Sequence, residues 1–442
     1  MSDRKLFKIG DYMKKKPTVV SLFAGAGGMD LGFIHAGFDV IWANDFDVNA
    51  VNTYRRNIGD HIVHGDITQI PSEEIPGEDV DVVIGGFPCQ GFSVANTKRS
   101  MEDKRNFLYL ELLRIVKDKK PKFFVAENVK GLLSMSKGKV IEMIKNDFEK
   151  LGYTVEYRVL NAADYGVPQL RERVIIIGNR FGIQNPYPEK THKFMQEVDP
   201  EQIDIFDIEN YKDKDLKPYI SVEEAIGYLS DIRTRNETFE LNGRMILNHV
   251  ASENVSDTFW GRKHEVDQAE ICDYLKEWRK KAGISVKAID KHFGYNHTAG
   301  HWFRKDNKSG SIPKPEDWWE LKKLLDFDDK YDKQVTEFIE KEIKFEQSLR
   351  ITNWKRPSDT ITASQPEIHV NKKRRLSVRE CAIIQTFPYD FEFTGSLNAM
   401  YRQVGNAVPV LLAKKIAIGI KEHLKEQPID KMETLEEVVL AK

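Results

Sequence analysis

An α/β fold built on a doubly wound, mostly parallel sheet is predicted for the first part of this 442-residue chain. Short runs rich in β-branched residues alternate there with longer amphipathic segments, and the alternation continues from Thr18 to about Gly178. Such an order places helices on both faces of a parallel sheet. The strand-like runs are TVVSLF (18–23), FDVIWAN (38–44), DVVIGG (81–86), KFFVAEN (122–128), TVEYRVL (154–160) and RVIIIG (173–178). FLYLELLRIVKD (107–118) and KVIEMIKNDFEKLG (139–152) have apolar residues at helical spacing.

The pattern changes after Gly178. Residues 181–220 are rich in Asp, Glu, Pro and Lys and predict an irregular connector, whereas residues 221–350 predict mostly helix. The segment VPVLLAKKIAIGIKEHL (408–424) predicts a strong amphipathic helix. Proline lies at its start, where the missing N–H has no helical partner to lose.

The composition is that of an ordinary globular protein, with 40% hydrophobic and 31% charged residues. No apolar run approaches the roughly 20 residues that span a bilayer, and the basic N-terminus lacks the apolar stretch of a secretory signal. Three cysteines without a CxxC pair argue against a disulfide framework or a zinc site, so a cytoplasmic protein without a structural metal is expected. Because the net charge is −2, a nucleic-acid partner has to be argued from local charge.

A glycine-rich turn follows the first predicted strand, in SLFAGAGGMDLGF (21–33). Gly25, Gly27 and Gly28 suit a backbone that approaches a ligand closely or takes positive φ. Asp30 stands where dinucleotide-binding enzymes need their third glycine, so a nicotinamide dehydrogenase is the weakest candidate. Taken alone, the turn fits a ligand site and a plain strand–helix connection about equally well.

Acidic residues at the next two strand ends favour an adenosyl cofactor. Asp45 ends the second strand and could hold ribose hydroxyls, and the neighbouring Phe46 could stack on adenine. Asp66, in HGDIT (64–68), ends the third strand. Each carboxylate alone could be a turn residue.

Reactive side chains follow the fourth and fifth strand ends. Cys89, in GGFPCQGFS (85–93), lies in a loop beside the predicted cofactor crevice, where a thiolate would be a strong nucleophile, while Cys272 and Cys381 are expected to be small buried hydrophobes. Glu127, in AENVKG (126–131), ends an apolar strand and is either a turn residue or a proton donor. In PQLRERV (168–174), two arginines alternate with period two and predict guanidinium groups on one face, directed at a ligand or at solvent.

Together these segments resemble the ordered motifs of the DNA cytosine-5 methyltransferase family, in its stand-alone bacterial restriction–modification form. The matching blocks are FAGAGG, GFPCQ, ENV, QLRERV, RRLSVRECAIIQTFP (374–388) and YRQVGNAVP (401–409), which cover about residues 18–180 and 350–424. The resemblance implies an S-adenosylmethionine-dependent α/β catalytic domain in residues 1–180. It also implies an inserted, largely helical target-recognition region in residues 181–350. Residues 351–442 then return to the catalytic domain, and their final helix packs on it.

The chemistry implied is methyl transfer to carbon 5 of a cytosine flipped out of double-stranded DNA, with S-adenosylhomocysteine as product. Cys89 would add to carbon 6, Glu127 would hold N3 and the amino group, and Arg173 would contact O2 while Arg171 supports the loop. The implied cofactor contacts are Phe23, Ala24, Gly25, Gly27, Asp45, Phe46, Asp66, Ile67, Leu108 and Asn406. One departure is Ala407, where many members carry a serine whose hydroxyl contacts the cofactor.

DNA contacts are expected in two basic segments of the family pattern. Residues 91–109 resemble the mobile catalytic loop, and the run KKRR (372–375) suits phosphate contacts. The residues assigned to DNA there are Ser93, Lys98, Arg99, Arg105, Lys372 and Lys373.

A helix-turn-helix is predicted at residues 270–305, inside the inserted region. Between residues 262 and 305, ten basic and six acidic side chains give a local charge of +4. Turns are expected at Gly283 and Gly294, with Ser285 capping the second helix and Asn296 the third. The third helix would present His297, Thr298, His301 and Arg304 to a DNA groove. A small helical bundle without DNA contacts explains the pattern nearly as well.

Two other functions compete. A tRNA cytosine-5 methyltransferase would carry the same catalytic blocks, although its recognition region tends to be smaller. A non-catalytic DNA-binding regulator would have no need of the nucleophile. The expected protein is therefore a monomeric modification enzyme acting on double-stranded DNA, with a restriction endonuclease as a separate partner and no membrane association.

Overall fold

The computed structural model describes residues 16–77, 79–88, 108–194, 216–252, 268–295, 302, 313–340, 351–363, 366–371 and 373–426. A seven-stranded sheet in the order β3-β2-β1-β4-β5-β7-β6 lies at its centre. Its strands are β1 (Thr18–Leu22), β2 (Asp39–Asp45), β3 (Ile62–His64), β4 (Val82–Gly85), β5 (Phe123–Val129), β6 (Thr154–Asn161) and β7 (Glu172–Asn179). Neighbouring strands are parallel except at β7, which runs antiparallel to both β5 and β6. The predicted doubly wound, mostly parallel sheet is confirmed.

Helices cover both faces of the sheet, and this double burial explains the β-branched strands. Alternate residues of β1, β4, β5 and β7 enter opposite core clusters, so that Val20 lies in one cluster and Val19 in the other. The first cluster is closed by α3 (Leu108–Lys119) and α4 (Lys139–Glu149), and the second by α1 (Gly28–His35). Helix α2 (Val48–Asn57) packs against β2 and the edge strand β3.

The region after β7 contains short strands as well as helices. The pairs are β8 (His192–Lys193) with β9 (Lys217–Pro218) and β10 (Phe239–Leu241) with β11 (Arg244–Ile246). The second pair is a hairpin turned by Asn242 and Gly243, both with positive φ. Asn-Gly between alternating apolar residues is a strong hairpin signal, so the expectation of mostly helix from residue 221 onwards was wrong at this point.

Four helices then share a core of their own: α6 (Gln268–Lys281), α7 (Val286–Phe293), α8 (Pro315–Leu325) and α9 (Asp332–Glu340), preceded in the chain by the short α5 (Val222–Ile226). The first two helices of the predicted helix-turn-helix are α6 and α7. Gly283 and Gly294 have positive φ, and the Ser285 hydroxyl caps α7 by accepting from the Ala288 N–H. The third predicted helix lies outside the described residues except for Trp302, which is buried in this core.

The last helices, α10 (Val378–Ile384), α11 (Leu397–Asn406) and α12 (Val410–Glu426), return to the α/β domain. Helix α12 packs against α1 at Gly32, where a Cβ would lie 2.5 Å from the Ala413 Cβ and 2.7 Å from the Val410 carbonyl oxygen. Glycine is therefore required for the two backbones to approach. The stretch Leu397–Lys425 is apolar enough to cross a membrane by composition, but 67% of its most apolar window is buried in the fold.

Candidate active site

The loop after β1 takes an unusual backbone path at the carboxyl edge of the sheet. Phe23, Gly25 and Gly27 have φ values of 55°, 57° and 91°, all in the left-handed region. A Cβ on Gly25 would meet no atom within 4 Å, so this part of the loop borders open space. Ala24 closes the turn, since its N–H donates to the Asn44 carbonyl and its own carbonyl accepts from Gly27. The loop is thus shaped to bring main-chain atoms close to a ligand.

Asp45 joins this loop to the end of β2. Its Oδ2 accepts from the Gly25 N–H at 2.7 Å, and its Oδ1 accepts from the Asp47 N–H at 2.8 Å. Burial raises the pKa of Asp45, while these two main-chain hydrogen bonds oppose the shift. Each carboxylate oxygen keeps a second lone pair for a hydroxyl donor. The adjacent Phe46 ring is 75% exposed, so an apolar face is available beside the carboxylate.

The remaining predicted cofactor residues differ in what they can offer. Asp66 is exposed, and its Oδ1 accepts from the N–H and the hydroxyl of Thr68, as a turn cap does. Ile67 is 2% exposed, so only its main chain could reach a ligand. Leu108 is half-buried against the sheet core, and Asn406, at the end of α11, is exposed.

Glu127 and Arg173 form an ion pair at the end of β5. Arg173 Nε lies 2.9 Å from Glu127 Oε1, and the two side chains are 12% and 11% exposed. A Cβ on Gly86 would lie 3.1 Å from Glu127 Oε2, which places the other carboxylate oxygen against the segment that follows β4. Burial lowers the pKa of Arg173, and the carboxylate of Glu127 opposes that shift. The carboxylate is therefore held by an arginine and directed toward the strand end that precedes Cys89.

Asn128 fixes the main chain two residues before Cys89. Its Nδ2 donates to the Phe87 carbonyl at 2.9 Å, and both atoms are buried. The Phe87 ring packs in the sheet core and contacts Tyr109 of α3 with ring centroids 6.3 Å apart. Cys89 itself lies outside the described residues, which resume at residue 108.

Arg171 does not share an open face with Arg173, contrary to the period-two prediction. It precedes β7, is 1% exposed, and donates to the carbonyls of Ile361 at 3.1 Å and Gly405 at 2.9 Å. Burial, and secondarily the charge of Arg173, lower the pKa of Arg171 to about 9. Since its described partners are main-chain carbonyls of the returning segment, Arg171 supports the site and does not line it.

The basic run at 372–375 is divided between surface and core. Lys373 is exposed and free to reach a phosphate. Arg374 is buried and forms a bidentate pair with Glu380 at 2.6 and 2.7 Å, so the phosphate interpretation was wrong for this residue. The other residues assigned to DNA lie outside the described residues; they are Ser93, Lys98, Arg99, Arg105, His297, Thr298, His301, Arg304 and Lys372.

Sequence reasoning missed the polar residues that hold the site together. Asn128 was read only as part of the ENV block, and Asp30 only as a departure from a glycine pattern. Gln169 donates to Gln385, whose own amide donates to the Val404 carbonyl close to Asn406. A polar residue inside an apolar run, such as Asp30 in GMDLGF, was the available signal. Cys272 and Cys381 are buried thiols, as expected.

Comparison with known proteins identifies the family to which the chain belongs. The model of the C-5 cytosine-specific DNA methylases matches residues 17–422. The Type II methyltransferase M.NgoFVII of Neisseria gonorrhoeae is 34% identical over 413 residues, which cover 91% of this chain and 86% of that protein. M.AquIA of Picosynechococcus is 44% identical over 232 residues, which cover 49% of this chain and 90% of that protein.

A structural likeness supports the fold separately. The crystal structure of an E. coli prophage protein described as a DNA modification methyltransferase has a TM-score of 0.55 and 22% identity, covering 93% of this chain and all of that one. The family match spans most of the chain, both the sheet and the returning helices. The chain belongs to the C-5 cytosine-specific DNA methylase family and is a DNA cytosine methyltransferase.

Proposed function

We propose that this enzyme transfers a methyl group from S-adenosylmethionine to carbon 5 of a flipped-out cytosine in a specific double-stranded DNA sequence, through a covalent bond between Cys89 and carbon 6. The observation that carries the proposal is the placement of the Glu127 carboxylate. It is fixed by Arg173 on one side and lies against Gly86, three residues before the cysteine. A carboxylate held beside a candidate thiol nucleophile could bind the target cytosine in the orientation in which the thiol attacks it.

The carboxyl edge of the sheet fits the methyl donor. Asp45 retains lone pairs for two ribose hydroxyls, the exposed Phe46 ring offers a stacking surface, and the open side of Gly25 leaves room for the amino-acid portion. When bound, S-adenosylmethionine supplies an electrophilic methyl on a sulfonium, and S-adenosylhomocysteine is released. Leu108, Ile67 and Asn406 would complete the site, with Ala407 lacking a hydroxyl that many relatives carry.

The base-side chemistry follows from the low nucleophilicity of carbon 5. Addition of the Cys89 thiolate to carbon 6 turns the ring into an enamine whose carbon 5 can attack an electrophile. Glu127 would hold N3 and the amino group, which favours the charge distribution of the adduct, and Arg173 would contact O2. Loss of the carbon 5 proton and expulsion of the thiolate restore the aromatic ring and the free enzyme. The duplex must release the cytosine first, since the ring faces are stacked in DNA.

The region from residue 181 to 350 is proposed to recognise the target sequence. Its helices α6 to α9 have a separate core, so that surface residues can vary without disturbing the catalytic sheet. We assign the enzyme to the modification half of a restriction–modification system, as a cytoplasmic monomer with a separately acting endonuclease. The relatives M.NgoFVII and M.AquIA are Type II methyltransferases, which supports this role.

Two experiments test the proposal. Sequencing of bisulfite-treated plasmid from cells that express the chain should show protected cytosines in one short recurring context. In the presence of S-adenosylmethionine, duplex DNA carrying 5-fluorocytosine in that context should form a denaturation-resistant complex with the wild-type enzyme, because after methyl transfer carbon 5 carries fluorine and has no proton to lose. The Cys89→Ser variant should bind DNA and cofactor but form no such complex and transfer no methyl group.

Other outcomes would move the conclusion. Unprotected plasmid together with methylated cellular tRNA would identify the RNA enzyme. Methylation of neither would leave a non-catalytic DNA binder. Full methyl transfer by Cys89→Ser would remove the cysteine from the mechanism.

A further inference from the structure

A buried polar cluster lies directly behind the glycine loop. Asp30, in the first turn of α1, is 0% exposed. Its Oδ1 accepts from the Ser21 hydroxyl of β1 at 2.8 Å, and its Oδ2 accepts from the Tyr54 hydroxyl of α2 at 2.8 Å. The Tyr54 oxygen also lies 3.0 Å from His61 Nε2. Since the single Tyr54 proton is used on the carboxylate, His61 donates to Tyr54 when Asp30 is ionised.

This cluster is an unfavourable way to fill a core. Within the described part of the chain no lysine or arginine pairs with Asp30, and burial raises its pKa to about 6 even though both hydroxyls oppose the shift. An apolar residue in the same place would avoid the desolvation of a carboxylate. A buried carboxylate that destabilises the core is best explained by the arrangement of neighbouring segments that its hydrogen bonds hold in place.

The contacts of the cluster bracket the loop from both ends. Ser21 lies before the loop and Asp30 after it, so their hydrogen bond closes the loop across nine residues. The Tyr54 ring lies against the middle of the loop, because a Cβ on Gly27 would be 2.9 Å from Tyr54 Cδ2. Helix α2, which carries Tyr54, begins immediately after the turn that holds Asp45 and Phe46. One side chain thus links the two segments to which cofactor binding is assigned.

We propose that Asp30 and Tyr54 are positioning residues, which hold the glycine loop and the β2–α2 turn in the one relative arrangement that binds the cofactor. The inference rests on the proposed use of S-adenosylmethionine. Neither residue touches the reacting atoms. Without the hydrogen bonds of Asp30, the glycine loop would adopt other backbone conformations. The apparent Kd for the cofactor would then equal the intrinsic Kd divided by the fraction of molecules in the binding conformation.

The test is isothermal titration of S-adenosylhomocysteine into the full-length protein. Asp30→Ala and Tyr54→Phe should each raise Kd about tenfold, which corresponds to a loop that is competent about a tenth of the time. Asp30→Asn should stay within about twofold of wild type, because its amide can accept from Ser21 and donate to the Tyr54 oxygen. Steady-state methylation should show a raised KM for S-adenosylmethionine, with kcat and the KM for DNA unchanged.

Tyr153→Phe is the matched control. Tyr153 is also a buried tyrosine, and its hydroxyl donates to the Pro121 carbonyl at 2.7 Å, away from the loop. It should lose comparable stability and keep the wild-type Kd. An unchanged Kd in Tyr54→Phe, or an equal rise in Tyr153→Phe, would overturn the positioning role, and Tyr54→Phe decides alone if Asp30→Ala does not fold. Failure of the wild-type protein to bind S-adenosylhomocysteine would overturn the cofactor assignment and this inference with it.

Discussion

Replacement of Glu127 by glutamine tests the central ion pair of the site. The two charges are in contact at 2.9 Å with about a tenth of each side chain exposed. At an effective dielectric constant of about 20, unit charges about 4 Å apart attract by roughly 4 kcal/mol. Removing one partner of a buried pair costs roughly 3–5 kcal/mol, since the other charge stays desolvated. With slight solvent contact remaining, we expect a loss of about 3 kcal/mol in the free energy of unfolding of the α/β domain.

Glu172→Gln provides a matched control on the neighbouring residue. Glu172 pairs with Lys130 at 2.8 Å, but these side chains are 47% and 56% exposed. Exposed pairs contribute between 0 and about 1 kcal/mol, so this variant should unfold almost as the wild type does. Urea unfolding followed by circular dichroism measures the difference, and initial methylation rates are measured in parallel. Glu127→Gln should lower kcat by about 10²- to 10⁴-fold, whereas Glu172→Gln should leave it unchanged.

A second substitution separates folding from chemistry. In the double variant Glu127→Gln/Arg173→Met, the guanidinium that had lost its carboxylate partner is also removed. Part of the lost unfolding free energy should therefore return, while the methylation rate stays low. Equal stability losses in Glu127→Gln and Glu172→Gln would refute the burial argument. A near-wild-type rate in Glu127→Gln would refute the assigned role on the base.

The remaining predictions concern packing, pH and DNA. Gly32→Ala should lower the unfolding free energy by about 1–3 kcal/mol in a thermal melt, because its Cβ would lie 2.5 Å from the Ala413 Cβ, while Gly131→Ala, whose nearest contact would be 3.9 Å away, should not. The raised pKa of Asp30, about 6, means that the native state binds a proton more tightly than the unfolded chain. Wild-type stability should therefore fall by about 3 kcal/mol as pH rises from about 3 to about 7 relative to Asp30→Asn, and parallel urea midpoints for the two proteins would contradict this. Arg304→Ala should weaken binding to the cognate site by about 1–3 kcal/mol in a mobility-shift titration and affect random DNA less, and equal losses would remove it from base recognition.

The features predicted well from the sequence are those that depend on residues close together in the chain. Short β-branched runs that alternate with amphipathic segments predicted the sheet, because burial on both faces demands β-branched residues. The residues at the strand ends predicted the site, because a parallel sheet collects its strand ends at one edge. Glu127 and Asp45 were found in this way, and the structure brings them to that edge. The hairpin at residues 239–246 also depends on neighbouring residues only, so its Asn-Gly turn could have been predicted from the sequence but was overlooked.

The supporting contacts could not be predicted, because each joins residues that are distant in sequence. Arg171 reaches the carbonyls of Ile361 and Gly405, 190 and 234 residues away. Gln169 reaches Gln385 across 216 residues. A motif names the polar residue but not the carbonyl that it satisfies. The period-two pattern therefore placed Arg171 on an open face that it does not occupy, although the family resemblance already implied a supporting role.

These distant contacts also explain how the catalytic domain accepts a long insertion. The chain leaves the sheet after β7 and returns near residue 351, where Ser358 exchanges main-chain hydrogen bonds with Pro168 and Leu170. Arg171 and Gln169 secure the same junction from the side of the sheet. Every one of these contacts lies outside the helices α6 to α9, whose apolar residues pack among themselves. Changes in the proposed recognition region can therefore alter which DNA is bound while the pairing of Glu127 with Arg173 stays as it is.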